Sequence, residues 1–299
     1  MNSIALDDVG KRIGHSWALR EITFEINQGE NFGVFGRAGS GKSTLLRLIS
    51  GLDHPTTGTV VLHSSGGDDS SWLDAQTSMA LQTPGLAPEL TVAENLKMFA
   101  SLWPIPRKGR VSRIAMYLEL LGLVNVRNKQ VRDLSPGMKA AAEVARALIS
   151  NTDIIVIDGL IEQLDRPTRR RLWEYILARR RQNTTFIIGT ASADEAALCD
   201  RLAVLSDGRL VFVGKPDDLM NAVQNEILVV ESIHNPLIKS KLRDRFGTAV
   251  TERSGALEFR TNHPDADVAH VLAEIGSDVG CVYLRQPTLD DVLDRIEGD

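Results

Sequence analysis

Gly36-Arg37-Ala38-Gly39-Ser40-Gly41-Lys42-Ser43-Thr44 is the stretch on which the reading of this chain turns. It fits the pattern Gly-x-x-x-x-Gly-Lys-Ser/Thr. It also sits between a short apolar run, Asn31–Phe35, and a helix-like segment, Ser43–Leu52. In that setting the glycines let backbone N–H groups converge on phosphate oxygens, and the following helix contributes the positive end of its dipole. The ammonium of Lys42 would reach β- and γ-phosphates, and the Ser43 hydroxyl would ligate Mg²⁺. A chance glycine turn is the alternative. A chain of this length meets the pattern by accident roughly 1% of the time, before the strand and helix are demanded.

Upstream, Ala18–Ile26 alternates apolar and polar residues as a half-buried strand does. Downstream, Gly58–Leu62, a polar turn His63–Ser71 and Thr77–Leu81 read as a hairpin that ends before Gln82. A helical region follows over about 83–150, with Val92–Leu102, Val111–Leu121 and Lys139–Ile149 as its helices. The unalternated run Ile154–Ile157, ending at Asp158, suits a strand covered on both faces of a parallel sheet. Pro167–Arg181 reads as a helix, Thr185–Thr190 as a second buried strand and Asp194–Asp200 as a further helix. From about Glu226 the pattern restarts. The expected division is a domain over 1–225 and a small α+β domain over 226–299.

The 299 residues are 43% hydrophobic and 24% charged, with a net charge of -5. That is the balance of an ordinary globular protein, and it offers nucleic acid no basic surface. Cys199 and Cys281 form no metal or redox spacing, which fits a reducing compartment. No apolar run reaches the roughly 18 residues needed to cross a bilayer, so any membrane span would come from another chain.

The order Gly36–Thr44, Gln82, Leu134-Ser135-Pro136-Gly137-Met138, Ile154–Asp158 and Leu164-Asp165 resembles the nucleotide-binding domain of ABC transporters over residues 1 to about 220. The tail Pro287-Thr288-Leu289-Asp290-Asp291-Val292-Leu293 resembles the accessory domain of drug-export and ABC-2-type ATPase subunits. The resemblance implies an α/β P-loop NTPase cassette. It would have a mixed sheet core, antiparallel β and helical subdomains, and a small C-terminal α+β domain. It also implies a dimer that holds ATP and Mg²⁺ between the phosphate loop of one subunit and the signature segment of the other. Ser135 and Gly137 would face the partner's ATP, and Asp165 would lie at the dimer interface. Ser43, Gln82 and Asp158 would surround the metal, with Gln82 connecting ATP to membrane-spanning permease subunits. The chain would then be peripheral on the cytoplasmic side of the membrane.

The departures from the family pattern point one way. Gly159 stands where the family has its catalytic glutamate and Ala191 where it has its switch histidine. No catalytic side chain remains at either position. Ile13 replaces the aromatic that stacks on adenine, with His15 and Trp17 nearby, while Pro136 and Met138 alter the signature. Glu162 reads as an ordinary residue before the Gln163-Leu164-Asp165 turn rather than as a displaced base. The expectation is an exporter subunit that binds ATP, hydrolyses it weakly and pairs with a second, intact cassette. The alternatives are a soluble non-transport ABC protein or a regulatory pseudo-ATPase.

Overall fold

The computed structural model describes residues 2–62, 77–82, 85–103, 105–150, 152–180, 184–221, 226–232, 235–246, 250–253, 255–261, 263–275, 279–289 and 291–293. They form two compact units, Met1–Pro216 and Asp217–Asp299, so the expected boundary at 225 falls inside the second.

The first unit is built on a nine-stranded sheet in the order β4-β1-β2-β9-β8-β3-β7-β6-β5. Its strands are β1 (Asn2–Ile13), β2 (Ser16–Asn27), β3 (Asn31–Phe35), β4 (Thr57–Leu62), β5 (Thr77–Ala80), β6 (Ile154–Asp158), β7 (Thr185–Thr190), β8 (Arg201–Ser206) and β9 (Arg209–Gly214). β3, β5, β6, β7 and β8 run parallel, whereas β1, β2 and β4 pair antiparallel. The sequence patterns follow from this. β6 and β7 are buried at every position because helices cover both faces of the parallel part. β2 alternates because only one of its faces, with Leu19, Ile22, Phe24 and Ile26, enters the core.

The expected hairpin does not exist. β4 pairs with β1 and β5 with β6, at opposite edges of the sheet. Its connecting turn, His63–Ser71, lies outside the described residues. β5 has the composition of a strand but takes its partner from far downstream, where the apolar run of β6 offers a better-covered edge.

Three helices lie between β5 and β6: α2 (Val92–Leu102), α3 (Arg107–Leu120) and α4 (Pro136–Ile149); α1 (Lys42–Ile49) follows the glycine-rich loop. A capping box starts α2, with Thr91 Oγ1 accepting from Glu94 N at 3.2 Å and Glu94 Oε2 from Thr91 N at 2.8 Å. Ser135 caps α4 and Pro136 is its first residue, so the helix starts three residues before the expected Lys139. α3 begins four residues before the expected Val111, at Arg107.

Buried Glu143 of α4 anchors this helical layer to the segment after Gln82. Its Oε1 accepts from Gly85 N and, at 2.9 Å, from Leu86 N, while Oε2 takes Arg146 Nε at 2.8 Å. Arg146 in turn donates to Met79 O at 2.7 Å. Glu143→Ala would strip these buried donors of their acceptor. A loss of about 3 kcal/mol is expected, read as a shift in the chemical-denaturation midpoint.

Completing the first unit are α5 (Arg166–Arg180) and α6 (Ala193–Ala196). The helix expected over Asp194–Asp200 is thus a single turn. The second unit carries α7 (Pro216–Asn221) at its start, then β10 (Glu226–Ser232), α8 (Asn235–Phe246), β11 (Thr251–Arg253), β12 (Ala256–Thr261), α9 (Pro264–Ile275) and β13 (Val279–Arg285). Its antiparallel sheet runs β11-β12-β10-β13. Leu228, Val230, Leu257 and Phe259 form its core with Ile238 and Leu242 of α8 and Val271 of α9.

Candidate functional site

β3 delivers the chain into Gly36–Thr44 from the centre of the sheet, and α1 carries it away. Gly41 takes φ 102° at the N-cap of α1, and a Cβ there would sit 2.9 Å from Ala18 O and 2.8 Å from Leu19 Cδ2. Only glycine fits that close approach. The buried Ser40 supports the turn through its own backbone, donating N–H to Arg37 O at 3.2 Å. Lys42 Nζ donates to Gly36 O at 2.6 Å and to Arg37 O at 2.8 Å, which holds the ammonium against its own loop. Burial lowers the Lys42 pKa, opposed by the charges of Asp158 and Glu162. The loop opens into a cleft of about 570 Å³ whose walls include Ile13, Trp17, Lys42, Ser43, Gln82 and Gly208.

Asp158, at the end of β6, is 3% exposed and hydrogen-bonded by the Ser43 hydroxyl. Burial raises its pKa, against the lowering effects of Ser43 and Lys42. Its Oδ1 has no hydrogen-bond partner. A buried carboxyl oxygen left unpaired beside a hydroxyl is a hard, all-oxygen donor set, and Mg²⁺ suits it. Among the described residues no group of three or more His, Cys, Asp or Glu could hold a metal. Mg²⁺ here would therefore depend on phosphate oxygens and water for most of its shell.

Gln82 and Gly159 are brought face to face. Gly159 takes φ 60°, and a Cβ on it would fall on Gln82 Nε2. Its N–H donates to Gly189 O of β7 at 2.8 Å. The position thus lacks a carboxylate and also has a backbone that L-residues rarely adopt.

Glu162 is not an ordinary turn residue. Its Oε1 accepts from Thr190 Oγ1 at 2.5 Å, Ala191 N at 2.7 Å and Ser192 N at 3.3 Å, at the expected switch position. Thr190 also lies 3.2 Å from Glu195 Oε2. Glu195 is 2% exposed, and burial followed by the charge of Glu162 pushes its pKa up to about 7. Because that lies above the ordinary 4.5, the protonated carboxyl stabilises the fold fully below pH 4.5. The contribution is lost as pH rises through about 7. Glu195→Gln removes the titration, so its melting temperature should exceed the parent's at pH 8 by the equivalent of about 1–3 kcal/mol. At pH 4.5 the two should converge; an equal gap at both pH values would refute this account.

The signature residues line a separate cleft of about 280 Å³ that shares no residue with the first. Ser135 Oγ accepts from Met138 N at 3.3 Å, and Gly137 passes so close to Gln163 O that a Cβ would sit 2.7 Å away. Asp165 joins this wall and caps α5 by accepting from Thr168 N at 2.7 Å. Near the loop, Trp17 joins Ile13 on the cleft wall, with the Arg12 guanidinium 5.0 Å from its ring centroid. His15 does not line the cleft.

A family profile described as "ABC transporter" matches residues 19–161. Nod factor export ATP-binding protein I of Burkholderia orbicola (strain AU 1054) is 32% identical, over 97% of this chain and 95% of that protein. Its counterpart in Cupriavidus pinatubonensis is 31% identical over 99% of this chain and 90% of that protein. Among solved structures, a dimeric ATP-binding cassette in a post-hydrolysis state with ADP and Pi matches with a TM-score of 0.64 and 26% identity. The match covers 71% of this chain and 98% of that one. A dimeric bacterial ABC transporter cassette matches at 0.63 and 27%, over the same shares. Among the described residues no helix is long and apolar enough to cross a membrane.

Proposed function

Since this chain belongs to the ATP-binding family of ABC transporters, we propose that it holds Mg-ATP in a cassette dimer and hydrolyses it poorly. The observation that carries this reading is a cleft lined by Lys42, Ser43 and Gln82, in a chain with Gly159 and Ala191 where the family resemblance expects a base and a switch histidine. The amides of Gly36–Thr44 and the Lys42 ammonium would bind the polyphosphate. Ser43, Asp158 and Gln82 would hold Mg²⁺, which would neutralise charge on the β- and γ-oxygens. Ile13 and Trp17 would pack on the base. Neither Gly159 nor Ala191 has a side chain able to take a proton from water.

The signature cleft lies apart from the loop cleft, which supports a composite site completed by a second cassette. A homodimer would carry the same two losses at both sites, so a catalytically intact sister cassette is the economical partner, with membrane-spanning permeases. The relatives named for Nod factor export support the exporter direction, with the chain peripheral on the cytoplasmic face. The test is binding and turnover by the purified chain. It should bind a fluorescent ATP analogue with Mg²⁺ yet turn over at least ~10²-fold more slowly than a cassette that has its base. Turnover at an intact cassette's rate would end this reading.

A further inference from the structure

Glu162 has an unusual station. It follows β6 and is half-buried, and its carboxylate reaches across to the end of β7. There it occupies the N–H of Ala191, while the N–H of Ser192 is shared with Thr190 Oγ1, the nearer acceptor at 2.9 Å against 3.3 Å. Thr190 is paired in register with Phe35, the residue immediately before the phosphate loop. The charge of Glu162 is felt at both Lys42 and Asp158. A carboxylate therefore stands at the end of β7, the strand paired with the one that delivers the phosphate loop, and it takes up a backbone donor that an incoming anion could use.

We propose that Glu162 is a nucleotide-discriminating residue that disfavours a terminal γ-phosphate, so that the isolated site prefers a nucleoside diphosphate to the triphosphate. The inference rests on the nucleotide reading of the loop given above. Four charged groups face this carboxylate or its partners. Lys42 of α1 attracts it, while Asp158 of β6, and Glu195 of α6 when ionised, repel it. Arg169 of α5 donates Nη2 to the carbonyls of Glu162 at 2.7 Å and Leu164 at 3.3 Å, and its Nε forms an ion pair with Glu195 at 3.6 Å without a hydrogen bond.

The single proton of the Thr190 hydroxyl goes to the shorter contact, Glu162 at 2.5 Å, which leaves its lone pair facing Glu195. That arrangement suits a charged Glu162 and a Glu195 that holds a proton near neutrality. A loop-capping role alone would need the acceptor oxygen but not the charge.

Glu162→Gln keeps an oxygen for Ala191 and Ser192 and removes the charge. Dissociation constants for Mg-ATP and Mg-ADP should be measured on the full chain, parent and variant. Expected is an ATP affinity roughly five- to tenfold tighter in the variant, with ADP changed by less than about twofold. Glu162→Ala should move the ATP-to-ADP ratio the same way, and ADP binding reports that each variant is folded. A ratio unchanged in both variants, or ATP and ADP shifting together, overturns the inference while leaving the nucleotide reading standing. Failure of the parent to bind either nucleotide overturns both.

Discussion

Lys42→Ala should weaken binding of Mg-ATP by at least ~10²-fold, since it removes one or two charge-assisted contacts worth about 1.5–3 kcal/mol each. The loop amides alone do not compensate. Lys42 is also a cation set against Asp158 and Glu162, both of which it feels directly. Without it the loop loses its cation while the charges of Asp158 and Glu162 remain, so it meets a polyanion with weaker attraction. The fold should survive, because α1 is held by Leu45, Leu46, Leu48 and Ile49, all fully buried. What Lys42 itself contacts is carbonyl oxygen of Gly36 and Arg37. Titration of a fluorescent ATP analogue, with a melting curve as the fold control, reads the effect. Lys42→Met gives the same result with more of the side-chain volume retained. Should either variant bind as tightly as the parent, the loop is not the phosphate site.

The parts of this architecture governed by short-range rules were legible in the sequence. β6 and β7 announce themselves as continuous apolar runs, and α2 falls at its expected Val92–Leu102. Pairing between distant strands was not. β4 and β5 are adjacent in sequence, yet each finds its partner elsewhere, because alternation fixes a strand's face but not its neighbour.

The same divide runs through the site. Gly36–Thr44 could be placed from its spacing, whereas Gln82 and Asp158 were singled out only by the family resemblance; the structure gathers loop residues, Ser43 and Gln82 on one cleft, with Asp158 hydrogen-bonded by Ser43. Glu162 could not be assigned, since its partners Thr190, Ala191 and Ser192 arrive 28 to 30 residues later. A charged residue within four positions of Asp158 was the available signal. At position 159 the sequence showed the missing carboxylate and concealed the backbone conformation that goes with it.

That conformation sets the outcome of the obvious repair. Gly159→Glu returns a carboxylate to the position of the family's base, and a base is worth about 10²–10⁴ in rate. The repair should nonetheless fail, with turnover remaining within about threefold of the parent and so short of the whole 10²–10⁴. Position 159 is held at φ 60° by its hydrogen bond to Gly189 O at 2.8 Å. An L-residue there costs roughly 1–3 kcal/mol in backbone strain. Its Cβ would also clash with Gln82 Nε2, so the exposed Gln82 side chain must swing away from where it is expected to touch the metal. A glutamate that enters by displacing Gln82 leaves its carboxylate misplaced and the metal side disturbed, with Ala191 still lacking any donor side chain.

A lowered denaturation midpoint should therefore accompany the absent gain in rate. Adding Gln82→Ala should restore little of that stability, because the exposed Gln82 side chain can swing aside and backbone strain at position 159 remains. A hundredfold rise in ATPase from Gly159→Glu alone would show that the chain at 159 relaxes to accept a side chain, and that the missing base is its only catalytic defect.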